Sequence, residues 1–425
     1  MRARGSADTG SADLLLRCLS AGRGPTAAGS HLLVASPAQS AVWEEVADMA
    51  VRAHVAPLLF KRLKESDARD CVPADVWKRL RHAYFASGDR NTRLYRELRT
   101  VLQRLRGSGI KVIVLKGAFL AEAVYGDVAL RPMCDTDLLV PRVDLARAES
   151  ILLDMGGAHV RRPGAPGVNA EPERGMRRHA LPVLIRDLAI ELHWTIVSPT
   201  GPFRIDTAAI WDRAHVGTIA GVEVLSLSPE DLLLHLCLHF CYQDGCAELR
   251  HLCDIAEATH HFRDGLDWPL VTHSAREWDA LRYAGLSLQL ARNLLGAPVP
   301  EDTPNQLVPG DIDARLLKKA RECVLAHDKY DNWSLLPFPN RLGGRWTLAR
   351  AKALSDTVFL RRDEMVLRYP RARDSRHLWP YYILRSVDLL RNYGRATLRQ
   401  GFRLLRVRVP KSTPSLSGWL KSGKP

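Results

Sequence analysis

The chain has 425 residues and a formal net charge of +14, with 46% hydrophobic and 25% charged residues. This balance excludes an intrinsically disordered chain, and eight cysteines at this length exclude a disulfide-stabilised scaffold. The sequence has no secretory signal and no run of the roughly 18 apolar residues that a membrane-spanning helix needs, so we expect a cytoplasmic protein without a transmembrane segment.

The N-terminal region is predicted to be helical. Small and polar residues predict a disordered start at 1–13, and residues 14–106 form the predicted helical region. Apolar residues recur there at intervals of three and four, which places them on one face of a helix. A continuous pattern of this kind covers 77–105, and Pro57 separates two shorter ones.

Residues 107–226 are predicted to form a compact α/β core. β-branched and alternating runs predict short strands at 110–115, 136–140, 181–185, 188–194 and 222–227. Helical patterns lie between them at 118–125 and 143–155, and the second ends at a Gly-Gly pair, as helices often do. A small sheet with flanking helices follows from this order.

The rest of the chain is predicted to be helical again. Residues 228–231, Ser-Pro-Glu-Asp, are a strong helix start, because they combine a capping hydroxyl, a proline at the first position and an acid in the first turn. We assign 227–330 to a helical domain and 331–425 to a basic, largely helical C-terminal region. The expected fold class is therefore α+β, with the core flanked by helical segments on both sides.

Three acidic residues lie on the predicted strands of the core. Asp135 and Asp137 are two residues apart and therefore point to the same face, and Glu191 alternates with apolar neighbours on the strand 188–194. Carboxylates held close together repel one another unless a cation lies between them, and an oxygen-preferring ion such as Mg²⁺ is the natural occupant. If the two strands are neighbours, the three acids form one metal site.

The same repulsion predicts an effect on stability. We expect Asp137→Asn to abolish activity and to leave the metal-free protein at least as stable as the wild type, because one of the crowded charges is gone. A carboxylate that holds a structural contact would behave in the opposite way, and its loss would cost about 1 kcal/mol or more.

A strand-to-helix turn upstream predicts a phosphate-binding position at Lys116-Gly117. Glycine permits a close backbone approach, the start of the helix offers free N–H groups, and the lysine adds a positive charge. Arg131, four residues before Asp135, would supply a second positive charge.

The segment LKGAFLAEAVYGDVALRPMCDTDLLVP at 115–141 resembles an uncharacterised bacterial nucleotidyltransferase family with the pattern LKG…R…DxDLLV. The later segments IELHW, LSPEDLLLHLCLH and LRHLCDIAE resemble other recurrent blocks of that family, so the resemblance covers about 14–260. The family is similar to the DNA polymerase beta-like superfamily, which implies a small mixed sheet carrying a three-carboxylate, two-metal site. Unlike the Gly-Ser signature of that superfamily, Gly117 is followed by alanine.

The resemblance implies a metal-dependent nucleotidyltransferase. Asp135, Asp137 and Glu191 would be its catalytic residues and the ligands of Mg²⁺ or Mn²⁺, and Lys116 and Gly117 would bind a nucleoside triphosphate. A nucleoside monophosphate would pass to an unidentified hydroxyl acceptor, which is a small molecule, a carbohydrate or a peptide, with release of pyrophosphate.

Two polar residues outside this set each have two interpretations. His193 shares a strand face with Glu191 and would orient the acceptor, or it is a buried structural histidine. Arg250 would reach a nucleotide phosphate from the helical domain, or it forms a surface ion pair with Asp254 one helical turn away.

A group of histidines and cysteines in the helical domain raises the question of a second metal: His235, Cys237, His239, Cys241, Cys246, His251 and Cys253. On a helix that turns by about 100° per residue, the pair 235/239 and the pair 237/241 point in different directions, so all four cannot bind one ion. We therefore favour buried core side chains over zinc or an iron–sulfur cluster.

The positive charge is concentrated in the tail, where 361–425 contain 16 Lys and Arg against 4 Asp and Glu. An arginine at every fourth position from Arg391 to Arg403 suits RNA or an anionic membrane surface, or is only a solvated face. An alternative function is therefore a nucleotidyltransferase of toxin/antitoxin type that modifies RNA or protein. A non-catalytic partner-binding scaffold is the third hypothesis, and the three intact acids disfavour it.

Overall fold

The structure is a computed structural model. It describes residues 4–20, 37–160, 182–197, 201–308, 312–325 and 379–384, together with Ala180 and His377. The chain divides into two compact units. The first contains Met1–Val160, Gly175–His327 and Ser422–Pro425, and the second contains Arg161–Arg174 and Asp328–Lys421. Apart from a helical stretch at 379–384 in the second unit, every helix and strand described below belongs to the first.

The described residues before the sheet form four α-helices: α1 (Arg4–Ser20), α2 (Pro37–Arg52), α3 (Ala56–Lys64) and α4 (Ala74–Gly107). Pro57 lies in the first turn of α3, where a proline breaks no helical hydrogen bond. The start of the chain differs from the expectation of disorder at 1–13, because α1 begins at Arg4. Its Leu15 and Leu19 are buried, and Ser11 Oγ donates a 2.6 Å hydrogen bond to Glu45 of α2. These contacts concern the part of α1 from Ser11 onward.

The sheet has seven strands in the order β3-β4-β5-β2-β1-β7-β6. The strands are β1 (Ile113–Val114), β2 (Asp135–Leu139), β3 (Ala158–His159), β4 (Val183–Ile185), β5 (Leu188–His193), β6 (His215–Ile219) and β7 (Val222–Ser226). The pairs β1–β7 and β2–β5 are parallel, and the other pairs are antiparallel. The sheet is therefore mixed, and the predicted α+β class is confirmed.

All five predicted strands are present, and two further strands were not predicted. The first predicted strand, 110–115, is reduced to the two residues of β1. Ile113 pairs with both β2 and β7, and Val114 pairs with β2. β3 is too short to show an alternating pattern. β6 lies at an edge of the sheet and is exposed along most of its length, so its sequence lacks the apolar alternation that marks a half-buried strand.

Short helices connect the strands. The predicted helix 118–125 begins earlier, as α5 (Lys116–Phe119), and continues as a π-helical turn, Leu120–Val124. A single 3₁₀ turn, Arg142–Asp144, leads into α6 (Leu145–Asp154), and α7 (Thr207–Asp212) precedes β6.

In the described residues from 227 to 325, six α-helices follow the sheet: α8 (Pro229–Leu238), α9 (Leu249–His261), α10 (Trp268–Glu277), α11 (Leu281–Leu295), α12 (Thr303–Leu307) and α13 (Ala314–Leu325). Ser228 caps α8 as predicted, since its hydroxyl accepts a hydrogen bond from the Asp231 N–H. Among the described helices, none combines the length and the apolar character required to cross a membrane. Most of the regions predicted at 14–106, 107–226 and 227–330 falls in the first unit, whereas 161–174 and 328–330 belong to the second. The boundaries of the predicted regions stay a prediction.

Candidate active site

Two parallel neighbours at the centre of the sheet carry the predicted acids. β2 and β5 pair in a register that sets Asp137 opposite Glu191 and Leu139 opposite His193. Side chains that face each other across paired strands lie on the same face of the sheet, and residues two apart on one strand share a face. Asp135, Asp137, Glu191 and His193 therefore lie on one face.

Asp137 is at the centre of this group. His193 Nε2 lies 2.6 Å from Oδ1 of Asp137, and Lys116 Nζ lies 3.2 Å from Oδ2, so each carboxylate oxygen has a nitrogen partner. The three side chains are buried, at 1%, 7% and 10% exposure for His193, Lys116 and Asp137. Asp137 is therefore not surrounded only by other carboxylates. Its loss in Asp137→Asn would remove contacts with Lys116 and His193, so the variant is no longer expected to be as stable as the wild type.

Glu191 completes a tight group of candidate ligands. Its Oε2 lies 3.6 Å from His193 Nε2, and one ligand atom from each of Asp137, Glu191 and His193 lies within 4.8 Å of the other two. Asp135 is outside this tightest group and its side chain is more exposed. The arrangement is therefore a compact carboxylate–histidine group with a further carboxylate at its open side.

Asp135 is a carboxylate of the site whose pKa is raised by its surroundings. Partial removal from water raises the pKa of its carboxyl group, and the nearby charges of Asp137 and Glu191 raise it further, while Lys116 and Arg131 oppose the shift. The ionised form of Asp135 is therefore disfavoured in the metal-free protein. A cation bound at this face would reverse that preference.

The Lys116-Gly117 turn is fixed by the backbone and by packing. Lys116 has φ of +36°, a conformation that costs energy for a residue with a side chain and is concentrated at functional sites. A Cβ on Gly117 would lie 2.8 Å from Nη1 of Arg131 and 3.3 Å from Sδ of Met133. Glycine is therefore required here because the Arg131 guanidinium packs against the backbone.

Arg131 is held by a buried ion pair. Its Nε and Nη2 donate to the two oxygens of Asp254, at 2.9 and 2.8 Å, and Tyr125 donates to the same carboxylate at 2.9 Å. Burial opposes ionisation of Asp254, but the Arg131 guanidinium outweighs it and holds the pKa of Asp254 below its ordinary value. In this geometry Arg131 ties the segment before β2 to α9, although its charge still acts on Asp135.

Arg250 does not form the ion pair with Asp254 that helical spacing suggested, because Asp254 faces Arg131. Instead, Nη1 of Arg250 donates to the carbonyl of Pro132 at 3.0 Å. Both arginines thus brace the segment just before the acidic strand.

Local spacing could not identify the residues that support the site. Asp254 lies 123 positions from Arg131, and Asn91 of α4 donates to the carbonyl of Arg131 across 40 positions. The helix face of Asp254 also carries Arg250 and Glu257, so the sequence around it does not mark it as a buried acid with a distant partner.

The described site thus consists of acidic residues on two adjacent central strands of a mixed sheet, β2 and β5. The chain belongs to a family described as uncharacterised nucleotidyltransferase, whose sequence profile matches residues 39–296, from α2 to the end of α11. The predicted family is thereby confirmed, and the chain is a nucleotidyltransferase, which implies a nucleoside triphosphate as substrate.

Other comparisons add little. The solution structure of the antibiotic-resistance factor ANT(2'')-Ia is similar at 17% identity and a TM-score of 0.30, over 47% of this chain and 97% of that chain. A similarity of this strength supports no argument about the site. No curated protein matches the chain.

Proposed function

We propose that the protein transfers a nucleoside monophosphate from a nucleoside triphosphate to a hydroxyl acceptor and that it requires Mg²⁺ or Mn²⁺ held by Asp135, Asp137 and Glu191. The register of β2 and β5 carries this proposal, because it sets Asp137 beside Glu191 on the face that also carries Asp135. The acceptor is a small molecule, a carbohydrate or a peptide.

The residues present fit a hard divalent cation, because carboxylate oxygens are the preferred ligands of Mg²⁺ and Mn²⁺. The pKa of Asp135 is raised by burial first and by the charges of Asp137 and Glu191 second, and a bound cation would offset both effects. When bound, such ions neutralise the triphosphate and lower the pKa of the acceptor hydroxyl. Asp135, Asp137 and Glu191 would hold them.

The side chains around the acids have distinct roles in this proposal. Lys116 is buried beside Asp137, so its ammonium group can hold a phosphate oxygen without the entropy cost of ordering a free lysine. His193 is a positioning residue, because its 2.6 Å contact fixes the orientation of the Asp137 carboxylate. Arg131 and Arg250 support the segment that ends at Asp135, through the contacts with Asp254 and with the Pro132 carbonyl. In this proposal, phosphate binding by either arginine is a second role.

The reaction is a displacement at the α-phosphorus. The acceptor oxygen forms the new P–O bond, the bond from the α-phosphorus to the bridging oxygen breaks, and pyrophosphate leaves with the bonding electrons. The hydroxyl proton passes to a carboxylate, for which Glu191 is the first candidate and Asp137 the second.

A matched pair of glutamates gives a direct test. Glu191→Gln removes a charge from the site, whereas Glu223→Gln removes one from an exposed position on β7. Each purified variant is incubated with each α-labelled NTP, Mg²⁺ or Mn²⁺, and a cell extract as the source of acceptors. Pyrophosphate release is expected from wild type and Glu223→Gln only. Equal activity of the two variants would overturn the role of Glu191.

The charge of the tail favours a second candidate acceptor. About +12 of the net charge lies in 361–425, and the arginine repeat from Arg391 to Arg403 lies outside the described residues. RNA and protein fractions of the extract are therefore assayed separately for label. Label in RNA or protein would support an enzyme of toxin/antitoxin type, and absence of label from every fraction would support the non-catalytic scaffold.

A further inference from the structure

A second group of potential metal ligands lies at the junction of α8 and α9. Nδ1 of His239 and Nδ1 of His251 each lie 2.7 Å from Oδ2 of Asp244. We call these three side chains the His–Asp–His cluster. It shares no residue with the carboxylates of β2 and β5, although the Lys116 ammonium is close enough to act on His239.

A π-helical turn creates the cluster. α8 ends at Leu238 and continues as the π turn His239–Gln243, which is closed by the Asp244 N–H donating to the His239 carbonyl. Residues five apart diverge on an α-helix, whereas the wider π turn aligns His239 with Asp244. Gly245 and Cys246, both with φ of +60°, then turn the chain so that α9 presents His251 to the same point.

The three atoms converge in a buried position. Both nitrogens lie within hydrogen-bonding distance of the same oxygen, Oδ2 of Asp244. Among the residues that the structure describes, however, none of the three atoms has a partner at the angle of a good hydrogen bond. The two imidazole rings stand at 81° to each other with centroids 4.6 Å apart. Side chains directed at a common point, rather than at one another, are the arrangement of ligands around an ion.

We propose that the His–Asp–His cluster binds one transition-metal ion of borderline softness, with Zn²⁺ as the first candidate. Two imidazole nitrogens and one carboxylate suit Zn²⁺, whereas Mg²⁺ prefers oxygen ligands, so the two sites of the protein select different metals. Three protein ligands leave a fourth tetrahedral position for water or a substrate atom.

Only neutral imidazoles have the nitrogen lone pair that a metal needs, so zinc binding requires His239 and His251 to be uncharged. The competing interpretation is a metal-free network, in which a small rotation of the His251 ring would let it donate to Asp244 while its Nε2 accepts from Arg250, 3.4 Å away. Such a network would have no need of an ion.

Metal content separates the two interpretations. The protein is stripped with a chelator, dialysed against Zn²⁺ in a large excess of Mg²⁺, and analysed for zinc. We expect one Zn²⁺ per chain in the wild type and in Asp135→Asn, and at least about tenfold weaker binding in His251→Gln and Asp244→Asn. His273→Gln, which changes an exposed histidine of α10, is the control and should bind as the wild type does.

Cobalt binding and thermal melting distinguish loss of the metal site from loss of the fold. Co²⁺ in the wild-type cluster should give the visible absorption of a site with nitrogen ligands, and Zn²⁺ should raise the melting temperature of the wild type but not of His239→Gln. Circular dichroism confirms that each variant is folded. Zinc binding that survives His251→Gln, or that is lost in Asp135→Asn, would overturn the proposal, as would the absence of bound zinc from the wild type.

Discussion

The two aspartates of β2 differ in their surroundings, although the sequence presents them as an equivalent pair. Asp137 is buried and has Lys116 and His193 on its two oxygens. Asp135 is more exposed, its nearest charges include two other acids, and its pKa is raised. The expectation that loss of one acid relieves repulsion therefore applies to Asp135, and Asp137 behaves as a structural acid as well.

Asp135→Asn should leave the metal-free protein at least as stable as the wild type at pH 7 and should abolish turnover. A pKa raised by folding means that the native state loses stability as Asp135 ionises, that is, as pH rises through the folded pKa. Asparagine does not ionise, so the advantage of the variant should disappear toward about pH 4. Thermal melts with chelator present, at pH 7 and at about pH 4, measure the difference in stability between the variant and the wild type. A lower melting temperature for the variant at pH 7 would contradict the argument.

Asp137→Asn should destabilise the metal-free protein by about 1–3 kcal/mol, because the buried Lys116 ammonium loses its counter-charge. The double variant Asp137→Asn, Lys116→Met should recover part of that loss, since the unpaired charge is then absent. Urea unfolding with chelator present gives the free energy of unfolding of each protein. If Asp137→Asn is as stable as the wild type, the ion pair with Lys116 does not contribute and the original expectation holds.

At the scale of elements, the predictable part of the fold is the part governed by local periodicity. Alternation identified β2 and β5 nearly to the residue, and the capping sequence placed the start of α8. The pairing of β2 with β5 depends on contacts across a long intervening segment, which local patterns do not encode. The π turn after α8 could not be foreseen either, since its residues also suit an α-helix.

The ion pair between Arg131 and Asp254 joins the segment before β2 to α9, and local sequence patterns do not predict it either. It leads to a prediction at the scale of elements. Asp254→Asn should cost about 3–5 kcal/mol of unfolding free energy, because it leaves the buried Arg131 guanidinium without its counter-charge. The exposed pair Arg106–Glu223 is the control, and Glu223→Gln should cost less than about 1 kcal/mol.

The stability of the protein at acid pH gives a second measurement of the ion pair between Arg131 and Asp254. The pKa of Asp254 is lowered by folding, so its contribution is present above the unfolded pKa of about 3.9 and is lost as pH falls through the lower folded value. Asp254→Asn should therefore flatten the acid side of the stability profile. An unchanged profile, or a cost no larger than that of Glu223→Gln, would show that the pair holds nothing together.

At the scale of the whole molecule, we make separate predictions for nucleotidyl transfer and for the basic tail. Deletion of 361–425 removes about +12 of charge and should abolish binding to RNA or to vesicles of anionic lipid, since exposed basic residues act through salt-sensitive attraction. Nucleotidyl transfer to a small acceptor should be retained. Filter binding and vesicle sedimentation, with full-length protein at low and high salt as the comparison, measure it. Undiminished binding by the truncated protein would show that the tail charge is only solvated.

The central claim is that Asp135, Asp137 and Glu191 form one divalent-metal site. The most direct test is a crystal structure with Mn²⁺ and a non-hydrolysable NTP analogue, read by the anomalous scattering of manganese. We predict two manganese peaks about 3.5–4 Å apart, bounded by these three carboxylates and the triphosphate. Manganese bound elsewhere, or a Glu191 side chain turned away from the nucleotide, would contradict the account.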